Sequence, residues 1–353
     1  MENAIVVPWG RGKKRAMARP AGVFTADGAF CADAMTYRAA TRPTTVEPEC
    51  PKPEEITQTL PGTLLFGGLA YGHFGHALCE STGRLWAADV FGEPIDHILY
   101  FPKKPLRHPN RSLPLVNAIL GSLGPLPPAL AINDPTRVER LVIAPQGFGV
   151  DGMAAGAPEF RAFIHRRWRD RVTADGPDKI YISRSKVFKK RGRLLLEERI
   201  EAELEREGFT IFHPQQHSLD SQLAHYKAAK VIVSTDNSAL HLAACVVQPD
   251  CKVAILVRRP GRIFRDFERQ FDSFAGITAV ISNTCDRFWF RAGEAVRFNE
   301  TFALIDFEDT GRALAEAGIV SNTPWVEPTE AEIQEAVAQL EARGELPLEE
   351  VEV

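Results

Sequence analysis

The amino-acid sequence predicts an α/β protein with two domains. Segments typical of strands alternate with segments typical of helices of about 10–14 residues, which is the pattern of parallel sheets covered by helices. The chain has 353 residues, which is more than one hydrophobic core usually serves. We therefore predict an α/β domain over 1–150, a second over 151–320, and an acidic helix with a tail over 321–353.

The composition is that of a soluble globular protein, with 44% apolar and 25% charged residues. A net charge of -4 argues against general nucleic-acid binding. The six cysteines form no CxxC pair, so neither a disulfide framework nor a structural zinc site is expected. No apolar run reaches about 18 residues, so no transmembrane helix is expected. We expect a cytoplasmic protein, whose basic segment Gly10–Arg19 allows peripheral contact with the inner face of a membrane.

The first domain is expected to begin with an irregular lead-in over 1–60, which is rich in Pro, Thr and Ala. Glycines then close a strand, and helical periodicity follows it. The expected elements in chain order are strand Gly62–Gly68, helix Phe74–Val90, strand His97–Phe101, helix Leu113–Leu123, strand Ala129–Ile132 and strand Arg140–Ala144.

A stretch rich in Gly and Ala follows at 146–158. Its residues Gly147, Gly149 and Gly152 form a G-x-G-x-x-G pattern after a strand, which indicates a dinucleotide fold when a helix follows at once. Gly156 and Pro158 interrupt that helix. We therefore favour a joint between domains, and we retain a nicotinamide oxidoreductase as the alternative.

The second domain is expected to hold a parallel, doubly wound sheet, since its strands and helices alternate regularly. The expected elements are helix Pro158–Arg171, strand Lys179–Ser183, helix Leu194–Glu207, strand Phe209–Phe212, helix Leu219–Ala229, strand Lys230–Ser234, helix Ser238–Val246, strand Lys252–Val257 and the acidic helix Glu327–Gly344.

Two histidines and an acid lie in the first expected helix. His73, His76, Glu80 and Arg84 fall on one helical face by their spacing. A histidine held by a carboxylate is a good general base near neutral pH, as attack by a sugar hydroxyl requires. One alternative is that His76 and Glu80 merely bridge the helix. Another is a His–His–Glu metal site, for which no third ligand is identified.

Two segments of the second domain suit an anion. A cationic loop follows strand Lys179–Ser183, at the end of the strand where α/β folds bind ligands. Its cations are Arg184, Lys186, Lys189, Lys190, Arg191 and Arg193. Asp236, Asn237 and Ser238 then begin a helix, whose free N–H groups suit a diphosphate. The alternatives are a solvated basic loop and simple helix capping.

Together these segments resemble glycosyltransferase family 61, the capsular polysaccharide biosynthesis type. The family's H-F-L-x-D/E-x-L-P-R-L reads His76-Ala-Leu-Cys-Glu80-Ser-Thr-Gly-Arg84-Leu here. Further matches are Ser183-Arg184 to its S-R, the stretch from Arg193 to Glu198 to its R-x-x-x-N-E, Gly208-Phe209 to its G-F, Ser218–Gln222 to its S-x-x-x-Q, and Ala229 through Leu240 to its last motif. The resemblance spans about Pro61 to Val257.

The chain departs from the family at two places. The family's H-G is Asp236-Asn237 here, and its N-E is Glu197-Glu198. The stretch from Thr235 to Ala244 also looks like the D-S/T-G-x-x-H-x-A of heptosyltransferases. Both resemblances imply the GT-B architecture, in which two Rossmann-like doubly wound domains face each other across a cleft.

The family 61 resemblance implies an inverting glycosyltransferase. It would move a sugar from a nucleotide-diphosphate donor to a hydroxyl of a growing glycan or glycolipid, such as capsule, exopolysaccharide or lipopolysaccharide. We expect His76 to be the base, Glu80 to orient it, and His73 to be the alternative base. We expect no tightly bound cofactor and no metal, since no D-x-D motif occurs. The expected donor-binding residues are Arg184, Lys189, Arg193, Glu198, Gln222, Asp236, Asn237 and Ser238. The alternatives are a heptosyltransferase-like enzyme and an inactive protein that binds nucleotide sugars.

Overall fold

The computed structural model describes residues 1–9, 18–103, 113–187, 192–344 and 347–351. The chain divides into two compact units, Met1–Arg171 and Val172–Val353. The stretch 146–158, which we expected to join two domains, lies inside the first unit. The helix after it also belongs to the first unit, although the sequence analysis began the second domain at residue 151.

The first unit contains ten strands and four helices among its described residues. Its strands are β1 (Glu2–Val7), β2 (Arg19–Pro20), β3 (Gly22–Phe24), β4 (Tyr37–Ala39), β5 (Arg42–Pro43), β6 (Thr45–Val46), β7 (Gln58–Ala70), β8 (His97–Pro102), β9 (Ala129–Ala131) and β10 (Thr136–Val142). Its helices are α1 (Phe74–Glu80), α2 (Ala87–Val90), α3 (Leu113–Ser122) and α4 (Pro158–Ile164), which continues as a π-helix over His165–Arg169.

A six-stranded sheet in the order β3-β1-β10-β7-β8-β9 forms the centre of the first unit. Strands β10, β7, β8 and β9 are parallel, whereas β1 and β3 add antiparallel strands at one edge. We expected the lead-in over 1–60 to be irregular, and this expectation was wrong, because β1 and β3 belong to the central sheet. Residues Ala4–Val7 of β1 are all buried, so they lack the alternation of apolar and polar residues that marks a half-exposed strand.

The expected helix Phe74–Val90 is broken in two. Helix α1 ends at Glu80, and α2 begins at Ala87. The Ser81 hydroxyl donates to the Leu69 carbonyl oxygen at 2.6 Å, and the Gly147 amide donates to the Gly83 carbonyl oxygen at 2.7 Å. These contacts with distant segments hold the intervening turn, and the helical periodicity of the sequence does not reveal them.

The second unit contains eight strands and six helices among its described residues. Its strands are β11 (Lys179–Ile182), β12 (Thr210–Phe212), β13 (Val231–Thr235), β14 (Lys252–Leu256), β15 (Val280–Ser282), β16 (Cys285–Arg291), β17 (Phe302–Ile305) and β18 (Leu348–Val351). Its helices are α5 (Glu197–Arg206), α6 (Leu219–Ala228), α7 (Ala239–Ala244), α8 (Phe264–Ala275), α9 (Phe307–Glu316) and α10 (Glu330–Ala342).

A five-stranded sheet in the order β12-β11-β13-β14-β15 forms the centre of the second unit. All of its pairings are parallel, which confirms the expected parallel sheet. The strand order reverses between β11 and β13. In open parallel sheets, ligands bind in the crevice outside the carboxyl ends of the strands at such a reversal.

The sequence analysis missed a small antiparallel sheet in the second unit, with the order β17-β16-β18. Its buried side chains Phe288, Phe302 and Ile305 belong to the same core as Tyr181 and Leu256 of the parallel sheet. Strands β16 and β17 follow each other in the chain, whereas β18 lies after α9 and α10 and pairs with the other edge of β16.

No helix in the described part of the chain is both long and apolar enough to cross a membrane. Most of the basic segment Gly10–Arg19 lies outside the described residues.

The glycines of the G-x-G-x-x-G pattern pack one loop against another. A Cβ atom on Gly149 would lie 2.7 Å from the Arg38 carbonyl oxygen, and the neighbouring Val150 amide donates to that oxygen at 2.9 Å. By contrast, a Cβ atom on Gly152 would make an ordinary contact of 3.9 Å with Ala40. Close packing therefore explains why residue 149 is glycine.

We predict that Gly149→Ala destabilises the protein by about 1–3 kcal/mol, because the added methyl group would overlap a backbone oxygen. Gly152→Ala is the matched control from the same pattern and should change stability by less than about 0.5 kcal/mol. Chemical denaturation of both variants measures the difference. Equal effects of the two substitutions would contradict the packing explanation.

Candidate functional site

The first candidate cluster follows the carboxyl end of β7, the strand that lies between β10 and β8. Tyr71 and His73 occupy the short connection, and α1 begins one residue after His73. One helical turn separates His76 from Glu80. The His76 Nδ1 and Glu80 Oε1 atoms are 2.6 Å apart, so the predicted histidine–carboxylate pair is formed.

The Glu80 carboxylate is buried, with its side chain only 2% exposed. Burial raises its pKa, but hydrogen bonds from His76 and Tyr71 and the positive charge of Arg38 outweigh that effect. The net result is a pKa below the ordinary value for glutamate. Glu80 therefore stays ionised at neutral pH and can hold the His76 imidazole in one orientation.

Arg38 is a member of this cluster that the sequence analysis missed. It lies on β4, and its Nε atom is 3.6 Å from Glu80 Oε1. Its Nη2 atom is 3.1 Å from His76 Nε2 and 3.3 Å from His76 Nδ1. Since Nη2 is nearly equidistant from both ring nitrogens, the guanidinium lies against the ring face rather than in line with the Nε2 lone pair.

The other two residues expected on this helical face lie elsewhere. His73 precedes the helix, at its N-cap, with its ring centroid 5.1 Å from that of His76. Arg84 follows the helix and is buried, where it donates to the carbonyl oxygens of Asp33 at 3.1 Å and Met35 at 2.6 Å. The one-face prediction thus holds for His76 and Glu80 but is wrong for His73 and Arg84.

The cluster has the properties of a proton acceptor. His76 is 31% exposed while its partner Glu80 is buried, so one end of the imidazole is oriented and the other is reachable. In the described part of the chain, no group of three or more His, Cys, Asp and Glu side chains is placed to hold a metal ion.

The second candidate cluster lies in the second unit, at the carboxyl ends of β11, β13 and β14. Ser183 and Arg184 follow β11, Asp236 follows β13, and Arg258 and Arg259 lie just after β14. Since these three strands are adjacent and parallel, the residues that follow them meet at one edge of the sheet. This edge includes the reversal of strand order between β11 and β13.

Glu197 is fully buried at this edge, at the start of α5. Its Oε1 atom accepts from the Arg184 amide at 2.7 Å and from the Tyr181 hydroxyl at 3.1 Å. Burial raises its pKa to about 7, although these hydrogen bonds and the charge of Arg184 oppose the rise. Glu197 is therefore partly protonated near neutral pH.

Asp236 is the centre of an ion-pair group with two arginines. Its carboxylate is 1% exposed, with Oδ2 at 2.8 Å from Arg259 Nε and Oδ1 at 3.2 Å from Arg258 Nε. Arg259 Nη2 also donates to the Asp236 carbonyl oxygen at 3.2 Å. Burial lowers the pKa of Arg258 to about 9, which still leaves it charged at neutral pH.

The predicted donor-binding residues divide between this edge and other places. Arg184 lies at the edge, where its guanidinium donates to the Gly192 carbonyl oxygen at 3.0 Å. Asn237 also lies there. Its side chain accepts from the Ala239 amide at 2.9 Å, so it caps α7, a helix of only six residues. Ser238 makes no side-chain cap bond to that helix. The capping alternative therefore accounts for Asn237.

Three other predicted residues have structural contacts of their own. Arg193 donates to the Ser185 carbonyl oxygen and lies 3.8 Å from Glu198, whose side chain is 57% exposed. Gln222 Nε2 donates to the carbonyl oxygens of Pro214 at 2.9 Å and His217 at 3.2 Å. Lys189 lies outside the described residues.

Sequence reasoning named Glu198 for the donor site, whereas the acid at the sheet edge is Glu197. It also missed Arg258 and Arg259. A signal for these arginines was present, since they follow an expected strand of a parallel sheet directly. Arg38 carried no comparable signal, because it lies in the segment that we expected to be irregular.

The model of the Glycosyltransferase 61 family matches residues 74–254, which is just over half of the chain. The chain belongs to glycosyltransferase family 61. The predicted family resemblance is thereby confirmed, and the protein is a glycosyltransferase that acts on glycans. A comparison with curated proteins gives no match.

The lowered pKa of Glu80 in this family 61 enzyme predicts a pH-dependent contribution to stability. The stabilisation by ionised Glu80 should be complete above the unfolded pKa of about 4.3 and lost as pH falls through the lower folded pKa. At pH 7 the free energy of unfolding of wild type should exceed that of Glu80→Gln by about 1–3 kcal/mol, and this difference should shrink below about pH 4. Urea denaturation across pH tests this, with exposed Glu49→Gln as control. A gap independent of pH would contradict it.

Glu197 should show the opposite dependence. Its folded pKa of about 7 lies above the unfolded value of about 4.3, so its favourable contribution is present at low pH and lost as pH rises through 7. Relative to Glu197→Gln, the free energy of unfolding of wild type should fall by about 2–4 kcal/mol between pH 4 and pH 8. The same denaturation series measures it. A gap that does not fall with rising pH would show that Glu197 titrates normally.

Proposed function

We propose that this family 61 enzyme is an inverting glycosyltransferase with a nucleotide-diphosphate sugar as donor. The acceptor is a hydroxyl of a growing surface glycan or glycolipid, as in capsule, exopolysaccharide or lipopolysaccharide. The observation that carries the proposal is the short contact between half-exposed His76 and buried, ionised Glu80. We place the activity in the cytoplasm, with peripheral contact at the membrane.

In the proposed reaction, His76 Nε2 removes the proton from the acceptor hydroxyl. The acceptor oxygen attacks the anomeric carbon of the donor from the face opposite the diphosphate. The bond between that carbon and the diphosphate oxygen breaks, and the nucleoside diphosphate leaves with the electron pair. Glu80 is ionised, so it stabilises the imidazolium that forms on His76. His73, whose ring lies beside that of His76, is the alternative base.

We assign the donor to the carboxyl edge of the parallel sheet in the second unit. The reversal of strand order at β11 and β13 and the Arg184 charge support this assignment. The proposed architecture is GT-B, with the acceptor and base on the first unit and the donor on the second. Guanidinium groups would stabilise the departing diphosphate electrostatically.

The proposed reaction uses no tightly bound cofactor and no metal. The sequence lacks the D-x-D motif, and its nearest counterpart begins at Asp306. Asp306 Oδ1 accepts from the Asp309 amide at 2.6 Å and caps α9, as the sequence analysis expected. This carboxylate therefore already has a structural role.

A panel of nucleotide sugars tests the proposed function. Thermal shift should identify one nucleoside diphosphate, with uridine, guanosine, cytidine and adenosine donors compared side by side. Release of that nucleoside diphosphate from its sugar, alone or with an acceptor glycan, should follow. The departures at Asp236 and Asn237 favour an inactive binding protein as the second candidate. Binding without any sugar transfer or donor hydrolysis would support that candidate instead.

We predict that His76→Ala lowers turnover by about 10²–10⁴ with donor binding unchanged, because only the base is removed. His165→Ala, a histidine of the same unit that lies on another helix, should retain turnover. Turnover is measured as nucleoside diphosphate release, and binding by calorimetry. A fully active His76→Ala enzyme would exclude the assignment, and His73→Ala would then be tested.

A further inference from the structure

The ion-pair group at Asp236 has more positive than negative charge. Asp236 contributes one buried carboxylate, and Arg258 and Arg259 contribute two guanidinium groups. Arg184 also lies close enough to Arg258 to lower its pKa. Two further acids lie at this edge. Glu197 is only partly ionised near neutral pH, and Glu201 accepts hydrogen bonds from the Ser183 and Ser185 hydroxyl groups. A group that served stability alone would be expected to balance its charges, since an uncompensated buried charge is costly.

Arg259 is held along only one edge of its guanidinium group. Nε and Nη2 donate to the carboxylate and the carbonyl oxygen of Asp236. Among the described residues, Nη1 of Arg259 makes no hydrogen bond or ion pair, and the side chain is 12% exposed. A guanidinium group has five N–H donors in a rigid fork, so fixing one edge aims the remaining donors in a defined direction.

Arg258 is buried and is not satisfied by the described residues. Its Nε lies within ion-pair distance of Asp236 Oδ1, but neither Nε nor Nη1 makes a hydrogen bond to them. Buried polar groups are rarely left in this state without a further partner or a functional reason. Arg258 follows the central strand β14, so it adds positive potential at the carboxyl edge of the sheet.

We propose that Arg259 binds the second phosphate group of the donor diphosphate, the one that carries the sugar, and that Asp236 is the positioning residue that orients Arg259. Arg258 adds buried positive charge behind this contact. The inference rests on the proposed function, since it takes the donor to be a nucleoside diphosphate sugar. It adds Arg258 and Arg259, which the sequence analysis did not assign to the donor site. It also gives Asp236 a role other than direct contact with a sugar or ribose hydroxyl.

The ion-pair group can still bind an anion. Arg258 and Arg259 contribute two guanidinium groups to the single carboxylate of Asp236, so one positive charge of the group is left for a ligand. Arginine also pairs with phosphate oxygens through two parallel N–H···O bonds when its fork is oriented.

Calorimetry on the full-length protein tests the proposal, with UDP, GDP, CDP, ADP and inorganic pyrophosphate as probes. The nucleoside diphosphate that wild type binds best is then compared with the monophosphate of the same base. Arg259→Ala should weaken diphosphate binding by about 10- to 100-fold and monophosphate binding much less, because the lost contact is to the second phosphate. Arg262→Ala, an exposed arginine of the same loop, is the matched control and should bind both as wild type does.

Arg259→Lys keeps the positive charge, and it provides a second test of the assignment if the alanine variant does not fold. It should lose less diphosphate affinity than Arg259→Ala but more than Arg262→Ala, since lysine cannot bind Asp236 and a phosphate along two edges.

The outcomes separate this inference from the proposed function. If wild type binds a diphosphate and the Arg259 variants keep the wild-type ratio of diphosphate to monophosphate affinity, the Arg259 assignment is overturned. Equal weakening of both ligands would also overturn it, because it indicates a structural role only. If wild type binds none of the probes, the proposed donor class itself is wrong.

Discussion

Burial of carboxylates at the carboxyl ends of parallel strands is the constraint on which both candidate sites depend. A buried charge is tolerated only when it is paired and hydrogen-bonded. In the first unit, Glu80 is paired with His76 and lies near Arg38. In the second, Asp236 is paired with Arg258 and Arg259. The same pairing that offsets the cost of burial also restricts the orientation of the groups that remain available for chemistry.

The two buried glutamates show how strongly the neighbours decide the outcome. Glu80 has an imidazole and a guanidinium nearby, and its pKa falls below the ordinary value despite burial. Glu197 accepts from a backbone amide and a tyrosine hydroxyl, and its pKa rises to about 7. A permanent negative charge suits a residue that orients a base. Partial protonation suits a residue at an edge where phosphate is proposed to bind, because a protonated carboxyl group does not repel an anion.

The supporting cations lie outside the region that the family match covers. That region, 74–254, contains His76, Glu80, Glu197 and Asp236. Arg38 precedes it, and Arg258 and Arg259 follow it by a few residues. Glu80 and Asp236 therefore lie inside the matched region and their arginine partners outside it. This division explains why reasoning from the family motif found these two acids and missed their arginines.

The sequence by itself determined the local features of the protein. The alternation of strand and helix patterns predicted the parallel sheet of the second unit, and the four-residue spacing of His76 and Glu80 predicted their contact. The individual strand and helix patterns and the His76–Glu80 contact are local, and their periods of 2 and 3.6 can be read directly. The family motif could also be recognised because its residues keep a fixed order and spacing.

Only the tertiary structure decided which side chains complete each site. The break after Glu80, the position of Arg38 against His76, and the choice of Glu197 over Glu198 all arise from contacts between distant segments or from burial. No local period encodes such contacts, because they depend on how elements pack and which backbone groups they leave to be satisfied. Local interactions therefore specified most of the strands and helices and one histidine–carboxylate pair, and long-range packing specified the charges around that pair.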